Sequence, residues 1–180
     1  MDYNFVKICA VLGAGIAAGF GAIGSAVGEG LVAKQAVEAL GRQPHASGKI
    51  VRLMVIAQAV TETAAIFGLV IALVLLFRDA SAEVLKGYTY ISAGIAIGLG
   101  TIGSGLGSGL PGSTAMEGLG RNPENSDGIT VNMIIGQAVT QTSCIFALTV
   151  SLLLIMADTP TTLTKVTALL GAGFAMGFGA

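Results

Sequence analysis

The chain has 180 residues, of which 53% are hydrophobic and only 11% charged, with a mean hydropathy of +0.83. Soluble domains carry about 25% charged residues, so too little polar surface is available to face water on all sides, and the chain reads as an integral membrane protein. A net charge of −1 argues against nucleic acid as a partner, and 27 glycines without a G-X-Y period exclude collagen.

Taken in order, the charges mark out the membrane segments. No charge lies between Lys7 and Glu29, only Glu62 between Arg52 and Arg78, none between Lys86 and Glu117, and none between Asp127 and Asp158. Each interval suits a hydrocarbon core that needs about 20 residues of helix. Backbone groups in lipid must be satisfied within the segment, which selects helices over single strands. The first apolar run lacks a basic n-region and a small-residue cleavage site, so it is expected to be retained. A fifth apolar stretch runs from about Thr161 to Ala180. The expected architecture is therefore all-α: two transmembrane helical hairpins fused in one chain, plus a short fifth helix.

The first segment is glycine-rich at Gly15, Gly19, Gly21, Gly24, Gly28 and Gly30. The third carries Gly94, Gly98, Gly100 and the run Gly103-x-Gly105-x-Gly107-x-Gly109. Small residues four apart share a helix face and let backbones approach closely. Two such helices at one offset point to a crowded ring of helices. The run is not a nucleotide loop, because no strand precedes it and no Lys-Ser/Thr follows. Polar turns join the segments. Gly41-Arg42-Gln43-Pro44 and Gly120-Arg121-Asn122-Pro123 are helix-stop punctuation, and segments 77–82 and 157–160 make the other two connections. Lys34, Arg42, Lys49 and Arg52 around the first R-x-P loop place both such loops on the cytoplasmic side, although Glu117, Glu124 and Asp127 dilute the second.

The second segment contains A-Q-A-V-T-E-T-A-A-I-F (57–67), with one carboxylate, Glu62, in an apolar run. An ionisable group at that depth is costly and marks a functional site. The stretch returns at 136–146 as G-Q-A-V-T-Q-T-S-C-I-F, an offset of 79 positions, with Gln141 in place of the acid. At this constant offset about half of positions 23–67 recur without a gap, Arg42/Arg121, Pro44/Pro123, Gln58/Gln137 and Phe67/Phe146 among them. The copies keep one membrane orientation, which implies rotation about the membrane normal and not an inverted repeat. Residues 162–180 match 4–22 at 11 of 19 positions, at twice the offset. The chain thus divides into a hairpin with an ionisable position (1–80), a hairpin with a silenced one (81–158), and a partial third repeat (159–180). The last is expected to line or plug the inside of a ring, or to fray.

The glycine-rich first helix, the R-Q-P loop and the mid-helix carboxylate together resemble the c-type ring component, or proteolipid, of rotary ATP synthases and ATPases. Nearly the whole chain is covered, as two fused hairpins. The fusion with one lost carboxylate is similar to V-type members. G-E-G-L, A-V-T-E-T and I-F are similar to sodium-coupled bacterial F-type relatives. The resemblance implies a non-catalytic rotor-ring subunit of a bacterial inner (plasma) membrane. Its implied partners are other c subunits, a stator a-type subunit, the lipid, and a central stalk at the Arg42 and Arg121 loops. It also implies ion binding at Glu62, Thr63, the Val60 carbonyl and Glu29, with the site shared between adjacent hairpins. Phe67 stands where many members carry a Tyr that bonds the carboxylate, and it has no hydroxyl to offer.

Oxygen donors from several directions suit a small hard cation, so Na+ is expected at Glu62, Thr63 and Val60, with H+ as the alternative and no organic cofactor. One carboxylate neutralises one monovalent ion, so the loaded site tolerates lipid and the empty one does not. Glu29, if it joins the site, must be protonated or matched by a second cation; the plain alternative is that it snorkels to water. Gln141 marks the silenced position, where Val139 and Thr142 are expected to complete a neighbour's site or to be leftover homology. Gln58 and Gln137 read as bridges to the first helix, His45 as a solvated loop residue, Pro111 as a kink, and Cys9 and Cys144 as inert packing. A scaffold or channel and a secondary transporter are the rival classes; the first has no need of Glu62, and the second usually needs more substrate-binding polarity.

Overall fold

The computed structural model describes residues 2–78, 83–158 and 160–180, so parts of the connections at 79–82 and 159 lie outside the described residues. Five α-helices account for nearly all of it: α1 (Asp2–Arg42), α2 (Ser47–Phe77), α3 (Val84–Arg121), α4 (Ser126–Met156) and α5 (Leu163–Gly179). The first four are long and apolar enough to cross a membrane. They run from 31 to 41 residues in length. A helix rises about 1.5 Å per residue, so each outreaches the hydrocarbon core, and the uncharged intervals mark only its central part. The protein is an all-α integral membrane protein of two helical hairpins and a short fifth helix.

Each hairpin closes through the same turn. A single 3-10 turn, Pro44–Ala46 or Pro123–Asn125, follows the first helix. Proline suits this place because its missing N–H is an orphan donor there anyway. Gln43 N donates to Ala39 O (2.8 Å) and Asn122 N to Gly118 O (2.9 Å), the same bond in both copies. The two turns are neighbours, since Lys49 Nζ donates to Pro123 O (3.1 Å). Arg42 and Arg121 are exposed beside them, and Arg121 pairs with Glu117 at 2.5 Å. At the opposite end a lysine at the start of each hairpin caps the helix that returns: Lys7 Nζ donates to Leu76 O (2.8 Å), and Lys86 Nζ donates to Ala157 O. A cation there satisfies a carbonyl that the helix end leaves open.

The most extensive helix pairing is between the two glycine-rich helices, α1 and α3. A Cβ placed on Gly24 would lie 2.6 Å from Ile102 Cα, and one on Gly109 2.5 Å from Gly28 Cα. Those distances lie inside van der Waals contact, so only glycine allows this approach. The partner residues rise together along both helices, which makes α1 and α3 parallel. Helices α2 and α4 pack outside this pair, and their outward faces expose Leu69, Leu73, Ile135, Ile145 and Leu153. In a membrane those side chains meet lipid.

Helix α5 lies along α3 and touches α4 only lightly. The frayed end that the sequence allowed for this segment is not found: α5 is a regular helix seated on α3, because its small residues match the α3 surface. Its N-cap is Thr162, whose hydroxyl accepts from Lys165 N (3.3 Å). Pro111 lies within the continuous helix α3 and packs toward α4, where a Cβ on Gly136 would be 3.0 Å from Pro111 Cβ.

Candidate functional site

Two apolar clusters fill the interior. One gathers Val6, Ala14, Ile71, Leu75, Tyr90 and Leu154; the other gathers Val32, Ile50, Leu53, Met116, Leu119 and Met133. Between them lies a belt of buried polar residues: Ser25, Thr61, Thr101, Ser104, Ser108, Gln137 and Gln141. Buried polar groups are costly unless hydrogen-bonded; Gln137 and Gln141 bond across the junction between the hairpins, Ser25 and Ser104 bond within their own hairpins, and Thr101 bonds back to its own helix.

The centre of the belt is Gln141, only 7% exposed. Its Nε2 donates to the carbonyl of Val60 on α2 (2.9 Å) and to Ser108 Oγ on α3 (3.3 Å). Its Oε1 accepts from Ser104 Oγ (2.9 Å) and from Cys144 Sγ (3.0 Å). Beside it, Gln137 Nε2 donates to Ala57 O (3.0 Å), Ser108 O (3.1 Å) and Thr61 Oγ1 (3.3 Å). The carboxamide nitrogen of Gln141 thus sits among acceptor oxygens from two hairpins. A neutral donor there satisfies acceptors that a cation would otherwise meet.

The repeat relates this junction to the surroundings of Glu62. Ser104 Oγ donates to Thr140 O (3.1 Å), as Ser25 Oγ does to Thr61 O (3.1 Å). Gln58 Nε2 donates to Glu29 O on α1 (3.5 Å), the bridge expected of it, whereas Gln137, expected to reach the same helix, donates instead to Ser108 O on α3 and to Ala57 O and Thr61 Oγ1 on α2, because α4 packs against those two helices. Glu62 itself is exposed, and its carboxylate makes no hydrogen bond among the described residues. Glu29 is half-buried, and the Gln58 bond to its carbonyl holds it beside α2 about one turn from Glu62. The Val60 carbonyl lies against Gln141. Thr63 Oγ1 donates back to Ala59 O (3.4 Å). On α4, Val139 is exposed, and its carbonyl accepts from Thr142 Oγ1 (2.7 Å). Phe67 is half-buried against the first apolar cluster. Cys9 and Cys144 are both buried and free, and no group of three His, Cys, Asp or Glu side chains is found among the described residues.

Ser25, Ser104 and the two capping lysines were not singled out in the sequence. Their signal was the offset itself, because Ser25/Ser104 and Lys7/Lys86 are both separated by the repeat interval.

A duplicated membrane hairpin, with close-packed glycine helices inside and a mid-membrane carboxylate outside, defines an ion-carrying ring subunit. The family model for the ATP synthase C subunit matches residues 12–75 and again 91–154, and the two matches begin one repeat interval apart. The chain belongs to that family, in duplicated form. It is similar to the ATP synthase c subunit of Desulfosudis oleivorans, 46% identical over 94 residues that make up 51% of this chain and 97% of that one. It is also similar to the ATP synthase c subunit of Petrotoga mobilis, 51% identical over 67 residues, 37% of this chain and 70% of that one. The chloroplastic ATP synthase c subunit of Ostreococcus tauri is 51% identical over 74 residues, 40% of this chain and 90% of that one.

Proposed function

We propose that this chain is a non-catalytic rotor-ring subunit that carries one cation, Na+ in preference to H+, on Glu62. The reading divides the chain into an ion-carrying hairpin (1–80), a silenced hairpin (81–158) and a partial third repeat (159–180). The observation that supports it best is the packing of Gln141. In the junction within the chain, the position equivalent to Glu62 meets the Val60 carbonyl of the preceding hairpin and Ser108 of its own. Applying the offset, Glu62 of one copy meets the Val139 carbonyl of the preceding copy, with Glu29 and Ser25 of its own hairpin beside it; Thr142 of that preceding copy is added as a hydroxyl ligand on the family resemblance alone. Val60 then serves the silenced junction and Val139 the live one. A protonated Glu29 donates to Glu62 and keeps a carbonyl oxygen for the cation, since two ionised carboxylates at one site repel.

The donor set fits a hard monovalent cation: one full negative charge, a backbone carbonyl and hydroxyls. A proton needs only the carboxylate, so the additional oxygens favour sodium. The loaded seat is near neutral and passes along lipid; the emptied seat is charged and must face a polar or cationic stator surface. Ion loading thereby gates rotation. The exposed Arg42 and Arg121 turns face the cytoplasm and the central stalk, in the inner membrane of a bacterium. Carbodiimide labelling of the assembled ring tests the site. Glu62 is expected to react, and sodium is expected to block the reaction. Labelling indifferent to sodium favours protons, and a Glu62 unreactive at every pH removes the ion-carrying role.

A further inference from the structure

A groove runs between α2 and α4 at the end of the molecule that carries the two turns. Lys49 and Arg52 form one wall, and Ser126, Asp127 and Thr130 form the other. Its floor is apolar: Leu53 of α2 and Leu119 of α3 are 3% and 0% exposed, and Ile56 continues it. Because α2 and α4 are the outer helices, the groove opens toward lipid.

Its depth matches the lipid phosphates. Arg52 and Arg78 bound the apolar stretch of α2 and stand 26 positions apart, about 39 Å of helix. A bilayer with its headgroups is about 40–45 Å thick. With one arginine in each headgroup layer, Arg52 lies at the phosphate level and Lys49 about one turn farther out. The apolar wall continues inward, since Val131 lines the groove and Ile135, one turn deeper on the same face of α4, is exposed.

Neither cation is neutralised within the chain. The one ion pair among the described residues is Arg121 with Glu117, so Asp127 pairs with neither Lys49 nor Arg52 although all three line the groove. Lys49 Nζ donates to Pro123 O (3.1 Å). An ammonium has three donors, so this bond holds Lys49 beside the groove and leaves two donors for a ligand. Arg52 is exposed and makes no hydrogen bond among the described residues. Two cations and one acid leave the groove net positive.

We propose that this groove seats an anionic phospholipid with a hydroxyl-bearing headgroup. The phosphodiester lies between Lys49 and Arg52, a headgroup hydroxyl donates to Asp127, and an acyl chain follows the furrow past Ile56 and Val131. A lipid with an ammonium headgroup would bring a third cation to a groove that already holds two, and a choline has no hydrogen to donate to Asp127. The paired cations occur once per chain. One repeat interval after Lys49 and Arg52 stand Gly128 and Val131, so on the ring reading given above the furrow between α4 and the next copy's α2 lacks them. The seat itself lies within one chain and depends on neither the ring nor the sodium reading.

The lipid retained by the purified full chain, assembled or not, tests the proposal. The chain is reconstituted with equal amounts of phosphatidylglycerol, phosphatidylethanolamine and phosphatidylcholine and extracted in mild detergent, and its bound lipid is identified by native mass measurement. Phosphatidylglycerol is expected to be retained over the other two. Lys49→Gln and Arg52→Gln are each expected to cut that preference about 5-fold, the contribution of one cation near an anionic lipid surface. Lys49→Arg and Arg52→Lys are expected to keep it. Arg42→Gln with Arg121→Gln removes two cations from the same end but outside the groove, and is expected to leave the preference unchanged. Equal retention of the three lipids overturns the proposal. So does an undiminished preference in Lys49→Gln with Arg52→Gln, or an equal loss in the Arg42 and Arg121 variant, which would mean diffuse surface charge only. All four positions are exposed, and thermal unfolding matching the parent's checks that each variant folds.

Discussion

Restoring a carboxylate at the silenced position is the most informative perturbation. In Gln141→Glu the introduced carboxylate takes a place that is 7% exposed. It loses the two bonds that Nε2 donates to Val60 O and Ser108 Oγ and turns a negative oxygen toward both acceptors. The effective penalty for an unpaired buried charge is several kcal/mol. A bound cation reverses the balance, because the Val60 carbonyl, the Ser108 hydroxyl and the carboxylate then coordinate it together. Ligand binding stabilises a fold by about 2.7 kcal/mol at 100 times the dissociation constant, enough to offset a large part of that penalty. The junction lies wholly within the chain, so unassembled protein in detergent suffices. Thermal unfolding at about pH 9, where a carboxylate of ordinary pKa is ionised, is expected to show a variant destabilised without sodium and restored by it, while the parent does not respond. A variant indifferent to sodium at that pH would refute the view that Gln141 occupies a cation's place.

Other consequences are equally direct. Glu62→Gln is expected to abolish carbodiimide labelling and sodium transport while leaving unfolding within about 0.5 kcal/mol of the parent, since the exposed carboxylate makes no hydrogen bond within the described residues; a large loss of stability by calorimetry would contradict this. Gly24→Ala places a Cβ 2.6 Å from Ile102 Cα, and overpacking of this kind costs about 1–3 kcal/mol, measurable by thermal unfolding of the unassembled chain. Gly30→Ala meets nothing within 4 Å in the chain, yet it stands one repeat interval before Gly109, which is pressed on Gly28. It should leave the unassembled chain unchanged and impair ring formation, as read by native gel or mass measurement. On the sodium reading proposed above, protons and sodium compete for the Glu62 carboxylate, so the sodium concentration that half-protects Glu62 from carbodiimide should rise as pH falls; a value constant with pH would contradict competition at one group.

The number and nature of the helices were legible in the sequence because charge is so costly in lipid that its absence marks each span. The duplication was legible because it has a constant offset, and Glu62 because it is a lone acid in an apolar run. Which oxygen faces which acid was not. Val60 is two positions from Glu62 in sequence, but its carbonyl is bonded by Gln141, since the contact crosses between hairpins and depends on how α3 lies against α1. That register is set by glycine contacts such as Gly24 with Ile102 and Gly28 with Gly109, which no spacing along one helix reveals. The kinship of α5 with α1 was visible, but its seat was not, because the same glycines would serve any close neighbour.

The central claim is that each chain carries one exchangeable cation, on Glu62, at a seat completed by another copy. Equilibrium binding of radioactive sodium to purified rings at alkaline pH tests it most directly. One sodium ion per chain is expected, lost entirely in Glu62→Gln. Two ions per chain, or binding that survives Glu62→Gln, would contradict it.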